Sequence, residues 1–151
     1  MAQPTRKILV PLDSSPGSEA VLPVGGELAR AEGAEVRLLH VALQVEAVVV
    51  DDRVIAYADQ EAARITQEVL AYLKKAAAQL SGLEVELAVR FGDPIAEIVN
   101  EAESAGVDLI ALATHRRTGV SRFLKGSVAE RVERATTIPV LLVRYGERVA
   151  A

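Results

Sequence analysis

The segment between Asp108 and Glu130 has the composition of an anion-binding loop. It contains no acidic residue, although the chain as a whole is acidic, and it carries His115, Arg116, Arg117, Arg122 and Lys125. A helical pattern then opens at Gly126-Ser127, and a helix start presents unpaired N–H groups and a positive dipole end. Glycine lets a phosphate approach the backbone, and the serine hydroxyl adds a donor. The pattern predicts a phosphate site; the alternative is a plain N-cap beside a solvated arginine face.

Asp13 is the carboxylate best placed to complete such a site. It directly follows the first apolar run of the chain. Open parallel sheets bind ligands at the carboxyl ends of their strands, where the connections diverge. If the first and fourth strands are neighbours, Asp13 faces the loop after Ala113, and its carboxylate can accept hydrogen bonds from ribose hydroxyls. The alternative role is capping of the following helix, and both roles are compatible.

Catalysis by side chains has little support in the sequence. The chain has no Cys, which excludes thiolate metal sites and thiol nucleophiles. The motifs HExxH, GxSxG, GxxxxGK[ST] and GxGxxG do not occur. The spacing of Asp13, Ser14 and His115 does not demand a triad. His40 lies within an apolar strand and is interpreted as a packing residue.

The composition is that of one domain over residues 1–151. Half of the residues are hydrophobic, the net charge is −4, and the aromatic residues are two Phe and three Tyr. Nucleic-acid binders need a basic face and stacking rings, so that class is disfavoured. No apolar run approaches the roughly 20 residues that span a bilayer. We therefore expect a cytoplasmic protein without nucleic-acid or membrane partners.

Strand and helix patterns alternate along the whole chain. Strands are predicted at residues 7–12, 35–41, 85–89, 108–113 and 139–143. The order βαβαβαβαβ predicts an α/β fold with a parallel sheet and helices on both faces. The strand at 85–89 alternates apolar and charged residues like an edge strand, and the continuous apolar run at 108–113 is typical of a central one.

The helix boundaries follow from capping residues. The first helix is predicted to be capped by Ser14 or Ser15, to begin at Pro16 and to end near Gly33. Its predicted inward residues are Ala20, Val21, Val24, Leu28 and Ala31, with a kink or loosened turn at Pro23 and Gly25-Gly26.

Later helices are predicted over residues 58–80, from Gly92-Asp93-Pro94 to Gly106, and from Gly126-Ser127 with Val128, Val132 and Ala135 inward. Residues 42–57 show no clear period and are interpreted as a loop, a lid or a frayed helix.

The last strand predicts how the protein assembles. If it is a sheet edge, the residues from Val140 to Val143 are too apolar to remain open, and a second copy covering them is the simplest solution. The alternative is that the C-terminal tail covers this edge.

Several segments together resemble the universal stress protein family. They are the residues at 7–15 (KILVPLDSS), Val41, Gly92-Asp93-Pro94, the block at 114–132 (THRRTGVSRFLKGSVAERV) and the ending at 138–144 (IPVLLVR). The resemblance covers nearly the whole chain. It implies a single Rossmann-like domain, a five-stranded parallel sheet of order 3-2-1-4-5, and a homodimer formed through the last strand.

Family members that bind ATP carry Gly-x-x-Gly, nine residues and then Gly-Ser or Gly-Thr. In this chain the pattern falls on Ala113-Thr114-His115-Arg116, nine residues, and Gly126-Ser127. Both proximal glycines are replaced. An arginine costs about 1–2 kcal/mol if its position needs a positive φ, but a guanidinium near a triphosphate is also attractive.

The resemblance therefore implies an ATP-binding stress-response protein that acts as a ligand sensor, with Mg²⁺ carried by the phosphates. Its implied site residues are Pro11, Leu12, Asp13, Val41, Ala113, Thr114, His115, Arg116, Gly126, Ser127 and Val128. Of these, Pro11, Asp13 and Val41 are expected on the nucleoside side. Two alternatives remain: a dimeric interaction module in which Arg116 occludes the site, and a slow ATPase or phosphotransferase using His115 or Ser127.

Overall fold

The structure is a computed structural model and describes residues 5–115 and 128–145. The strands are β1 (Lys7–Pro11), β2 (Glu35–Ala42), β3 (Val48–Val50), β4 (Arg53–Ala56), β5 (Val85–Phe91), β6 (Leu109–His115) and β7 (Val140–Tyr145). The helices are α1 (Val21–Glu32), α2 (Ala58–Ala77), α3 (Pro94–Ala105) and α4 (Val128–Ala135), and a 3₁₀ turn covers Ser18–Ala20.

Five strands form one parallel sheet in the order β5-β2-β1-β6-β7. Counting only these strands along the chain, this is the predicted order 3-2-1-4-5. Strand β1 is central, and Ile8, Leu9 and Val10 are buried because helices cover both faces. Strands β5 and β7 are the two edges, as predicted.

The core consists of two apolar layers, one on each face of the sheet. Alternate residues of β1 point to opposite layers, as the pleat of a strand requires. One layer packs β1 residues such as Ile8 and Val10 against α1 and α2. The other packs Leu9 with residues of α3 and α4. The prediction of helices on both faces is confirmed.

Helix α1 starts later than predicted. The chain makes the 3₁₀ turn first, and α1 begins at Val21 rather than at Pro16. Pro23 therefore falls in the first turn, where a backbone N–H would have no helical partner. The helix continues without interruption through Gly25 and Gly26, so the predicted kink is wrong.

The inward face of α1 also differs from the prediction. Val24 is 42% exposed and Ala31 is exposed, whereas Leu22, Gly25, Gly26 and Ala29 are buried. The two glycines allow close packing: a Cβ added at Gly26 would lie 3.0 Å from a methyl carbon of Leu80. The buried face of α1 is therefore the one whose glycine backbone can approach its neighbours closely. Counting apolar residues along the sequence does not detect such packing.

The segment at 42–57 contains an antiparallel hairpin of β3 and β4 after a loop at 43–47, so the interpretation as a frayed helix is wrong. Asp51 and Asp52 connect the strands with φ of 50° and 61°. Two successive positive φ values are typical of a type I′ turn, which matches the twist of a hairpin. Without Gly or Asn at these positions, the usual sequence signal is missing.

The predicted boundaries of helix α3 are confirmed. The Asp93 carboxylate accepts a hydrogen bond of 2.9 Å from the backbone N–H of Ala96, and Pro94 is the first helical residue. Gly106 ends the helix with φ 64°. In α2, Val69, Leu73 and Ala76 are buried as predicted; the α-helix ends at Ala77, and a turn buries Leu80.

Helix α4 buries Val132 as predicted, but not Val128 or Ala135, which are exposed. Ala129 takes the inward position instead, because it lies one turn before Val132 on the face that packs in the second apolar layer. Among the helices of the described residues, none is long and apolar enough to cross a membrane.

Candidate functional site

The candidate site lies at the carboxyl edge of the sheet, between β1 and β6. These strands are neighbours, and their following helices pack on opposite faces: α1 on one and α4 on the other. Chain segments that diverge to opposite faces leave a crevice between them, the usual ligand position of open α/β sheets. The predicted adjacency of the first and fourth strands is confirmed.

Three predicted site residues lie at this edge of the sheet. Leu9 pairs with Ile110, and Thr114 is further along β6 towards its carboxyl end. Pro11, the last residue of β1, pairs with Leu39, and Val41 is two residues further on in β2. Asp13 follows the end of β1, so the chain leaves the sheet at the edge that Val41 and Thr114 also reach.

The three positions also face the same side. On their strands they alternate with residues of the α1–α2 layer, and Val41 itself packs in the α3–α4 layer. Asp13 is exposed, Val41 is partly buried and Thr114 is buried. The arrangement places one exposed carboxylate beside two neutral side chains.

Hydrogen bonds within its own turn hold Asp13. Its Oδ1 accepts bonds from the backbone N–H of Ser15 at 2.8 Å and from Ser15 Oγ at 2.5 Å. Its own N–H donates to Ser18 Oγ at 3.2 Å. This is an Asx turn, and the N–H of Ser18, where the 3₁₀ turn starts, donates to Ser15 Oγ. The predicted capping of the first helix by Ser14 or Ser15 is wrong, because α1 follows the 3₁₀ turn and its N-cap, Ala20, makes no side-chain cap bond.

The pKa of Asp13 lies below its ordinary value. Burial by itself raises this pKa, but the hydrogen bonds from Ser15 and Ser18, together with the charge of His40, outweigh that effect. The carboxylate is consequently ionised at neutral pH. Among the described residues, both bonds from Ser15 end on Oδ1, so Oδ2 is the oxygen that we consider for a ligand.

His40 links β2 to the end of β1. Its Nδ1 lies 2.8 Å from the carbonyl oxygen of Leu12, whose own N–H donates to the Leu39 carbonyl at 2.8 Å. The ring is partly buried, in agreement with the predicted packing role. The link to Leu12 was not predicted, because nothing in the sequence pairs residues 28 positions apart.

The loop after β1 also contacts β7. A Cβ added at Gly17 would lie 2.2 Å from the ring of Tyr145, so this ring packs directly on the glycine backbone. Sequence reasoning missed Gly17, Ser18 and Tyr145. The run Ser14-Ser15-Pro16-Gly17-Ser18 was the available signal, since such residues favour turns.

Only the two ends of the predicted phosphate-binding segment lie within the described residues. Ala113 packs towards the α1–α2 layer, and the backbones of Thr114 and His115 pair with Arg144 and Tyr145 of β7. Val128 opens α4 and is 44% exposed. Arg116, Gly126 and Ser127 lie outside the described residues. Within the described part of the chain, no three His, Asp or Glu side chains converge as a metal cluster.

The fold and the crevice define a class: a Rossmann-like α/β domain with its site at the carboxyl edge of a parallel sheet. The model of the universal stress protein family matches residues 4–144, so the chain belongs to this family. Universal stress protein YxiE of Bacillus subtilis is 31% identical over 146 residues, which cover 91% of this chain and 98% of that protein.

Solved structures agree with this assignment. The structure of MJ0577, a Methanocaldococcus jannaschii protein, matches with a TM-score of 0.78 and 30% identity over 97% of this chain and all of that one. A universal stress protein in complex with cAMP matches with a TM-score of 0.72 and 19% identity, over 94% and 98% of the two chains. The Archaeoglobus fulgidus protein in complex with dAMP has a TM-score of 0.63 and 24% identity, over 93% and 98%. These last two likenesses show the common fold.

Proposed function

We propose that this protein is a cytoplasmic nucleotide-binding regulator, a ligand sensor rather than a catalyst, with ATP as its ligand. The observation that carries the proposal is that Asp13, just after β1, lies at the carboxyl edge of the sheet where Val41 of β2 and Thr114 of β6 also lie, on the two strands that flank β1. A nucleotide lying across this edge meets an apolar surface, a fixed carboxylate and then the loop that follows β6.

The nucleoside half of the proposed site is formed by the ends of β1 and β2. Asp13 accepts hydrogen bonds from ribose hydroxyls through Oδ2, and its low pKa keeps it in the accepting form. Val41, which is partly buried, offers apolar surface to the base. Pro11, also expected on the nucleoside side, is buried in the single chain. The Leu12 side chain is only 2% exposed and belongs to the core, so its contribution is the backbone.

The phosphate half of the proposed site is formed by the segment from β6 to α4. Thr114, Arg116, Gly126, Ser127 and Val128 would hold the phosphates, with Ala113 and His115 shaping the end of the strand. A helix N-terminus suits an anion. When bound, Mg²⁺ would be carried by the phosphates and neutralise part of their charge.

Two related proteins support the ligand class. The partners in those structures, cAMP and dAMP, share an adenine base, a sugar and a phosphate. An anionic sugar phosphate is the chemistry that an acceptor carboxylate and a basic loop recognise from opposite ends.

Calorimetric titration of nucleotide-free protein with ATP–Mg²⁺, AMP and cAMP tests the proposal. We expect micromolar binding of at least one of them, weakened by salt because arginine–phosphate attraction is screened. Flat heats together with an unchanged melting temperature would refute nucleotide binding. A gain of affinity in Arg116→Gly would then identify Arg116 as the occluding residue, and release of phosphate from ATP would instead show an enzyme.

The variant Asp13→Asn tests the carboxylate itself. Asparagine retains an Oδ1 that accepts from Ser15, so the turn is kept while the charge is lost. We expect a loss of affinity of about 10-fold, the scale of one charge-assisted hydrogen bond. Glu32→Gln is the matched control, because it removes an exposed carboxylate at the last residue of α1. This residue lies at the amino ends of the strands, opposite to the candidate site. Equal affinity in both variants would exclude Asp13 from the site.

We further propose that two copies associate through β7. On its inner side β7 pairs with β6, and among the described residues no strand pairs with its outer side. Val140, Leu141, Leu142 and Val143 are only partly buried in the single chain. A second β7 placed against this edge would satisfy its backbone and cover its side chains.

A further inference from the structure

The peptide group between Leu12 and Asp13 is held from both sides by side chains. Its carbonyl oxygen lies 2.8 Å from Nδ1 of His40, and its N–H donates to Ser18 Oγ at 3.2 Å. A carbonyl oxygen only accepts, so Nδ1 of His40 is the donor and carries a proton. Fixing both ends of a planar peptide fixes the Cα of the next residue, Asp13. The two bonds from Ser15 to its carboxylate then hold the side chain.

His40 acts where the strand ladder stops. In parallel pairing, Leu12 lies opposite His40, and its N–H donates to the Leu39 carbonyl as the register requires. In a continued ladder, the Leu12 carbonyl would accept from the backbone N–H of Val41. The imidazole of His40 provides the donor instead. The chain can therefore leave the sheet at Asp13 while the carbonyl remains satisfied.

We propose that His40, in its Nδ1-protonated form, is the positioning residue that aims Asp13 into the crevice. It contacts the Leu12 carbonyl rather than the ligand and acts through the peptide that joins Leu12 to Asp13. The expected effect on ligand affinity rests on the proposed nucleotide function. The proposal that His40 holds the turn at Asp13 does not depend on that function.

The first test needs no ligand. Long-range proton–nitrogen NMR spectra of the full chain at neutral pH identify which ring nitrogen of His40 is protonated. We expect protonated Nδ1. Protonation of Nε2 alone would overturn the proposal, whether or not any nucleotide binds.

Two substitutions separate positioning from simple packing. His40→Asn keeps an amide donor at the place of Nδ1, whereas His40→Leu keeps apolar volume and removes the donor. We expect hydrogen exchange of the Asp13 and Ser15 amides to accelerate about 10-fold in the leucine variant and to remain near wild type in the asparagine variant. A packing role predicts the reverse order, and that result would overturn the proposal.

Nucleotide affinity provides the second readout. If wild type binds ATP–Mg²⁺, we expect His40→Leu to weaken binding roughly 5- to 10-fold, the effect of one lost hydrogen bond, and His40→Asn to restore most of it. Equal affinity in both variants, despite altered amide exchange, would refute the link to the ligand. If wild type binds no nucleotide, the proposed function fails, and amide exchange still decides whether His40 holds the turn.

Discussion

At the scale of single residues, the strongest electrostatic feature outside the crevice is Glu101. This carboxylate on α3 is 5% exposed and accepts hydrogen bonds from Arg37 Nε and from Arg90 Nε at 2.6 Å. Burial alone raises the pKa of Glu101, but the bonds and charges of Arg90 and Arg37 outweigh it and lower the pKa. The cluster joins α3 to β2 and β5.

We expect Glu101→Gln to lower the free energy of unfolding by about 2 kcal/mol, because two partly buried guanidinium groups lose the buried carboxylate that they share. They keep only the more exposed Glu86 and Glu97 as partners. Urea denaturation measures the change. Glu103→Gln on the same helix is the control; that residue is exposed, and its substitution should change the free energy by less than about 0.5 kcal/mol. Similar losses in both variants would show that the cluster contributes nothing specific.

Glu101 also leads us to expect that the free energy of unfolding depends on pH. Because the pKa of Glu101 in the folded protein lies below its ordinary value of 4.5, the unfolded chain binds more protons just below that pH. Its stabilising contribution is therefore complete above about pH 5 and is lost as the pH falls through the folded-state pKa. Urea midpoints measured from about pH 6 to about pH 3 should fall less steeply in Glu101→Gln than in wild type. Parallel curves would contradict this assignment.

At the scale of elements, some boundaries of helices and strands are set by local capping and others by long-range packing. Helix α3 has its boundaries in its own sequence, at Asp93 and Gly106. The β3–β4 hairpin has the opposite character: Val49, Val50, Val54 and Ile55 are all exposed, and its strands pair only with each other. A two-stranded hairpin is at best marginally stable alone, so its boundaries depend on the elements that flank it.

For α3 we expect Asp93→Ala to cost about 1 kcal/mol of unfolding free energy, because the N–H of Ala96 loses its acceptor. Asp93→Asn retains an acceptor oxygen and should cost much less. Thermal or urea unfolding of the two variants provides the comparison. Equal destabilisation by alanine and asparagine would mean that charge at the helix start, rather than the cap bond, stabilises α3.

At the scale of the whole molecule, the sheet has two edges of different chemistry. Strand β5 includes Glu86 and Arg90, which take part in ion pairs. Strand β7 begins with four apolar residues. Charged edges discourage pairing between chains, and apolar edges favour it, so an interface between copies belongs at β7.

Sedimentation of wild type should give twice the single-chain mass of 16.1 kDa, and Val140→Lys should give the single-chain mass, because a charge at the edge opposes pairing. Val89→Lys on β5 is the control: it places the same charge at the other edge and should leave the dimer intact. Melting curves check that both variants fold. A wild-type mass of one chain would refute the dimer and favour coverage of β7 by the C-terminal tail.

Comparison of sequence and structure separates local signals from distant ones. Asp93, Pro94 and Gly106 were predicted because a cap acts within a few residues of its own helix. The buried face of α1 was not, because the close approach of Gly26 to Leu80 joins α1 to the turn after α2, far along the chain. The hairpin escaped prediction because Asp51 and Asp52 adopt positive φ without the usual glycine.

The sequence by itself determined the order of the five parallel strands and the four helices, the family, and the presence of a carboxylate after the first strand. Each of these depends on residue types and on spacings that repeat within a short window. Tertiary structure decided the surroundings of Asp13. The pairing of β1 with β2 and β6, and the bond from His40 to Leu12, join residues far apart in the chain. Such contacts are set by packing of the whole sheet, so no short window of the sequence contains them.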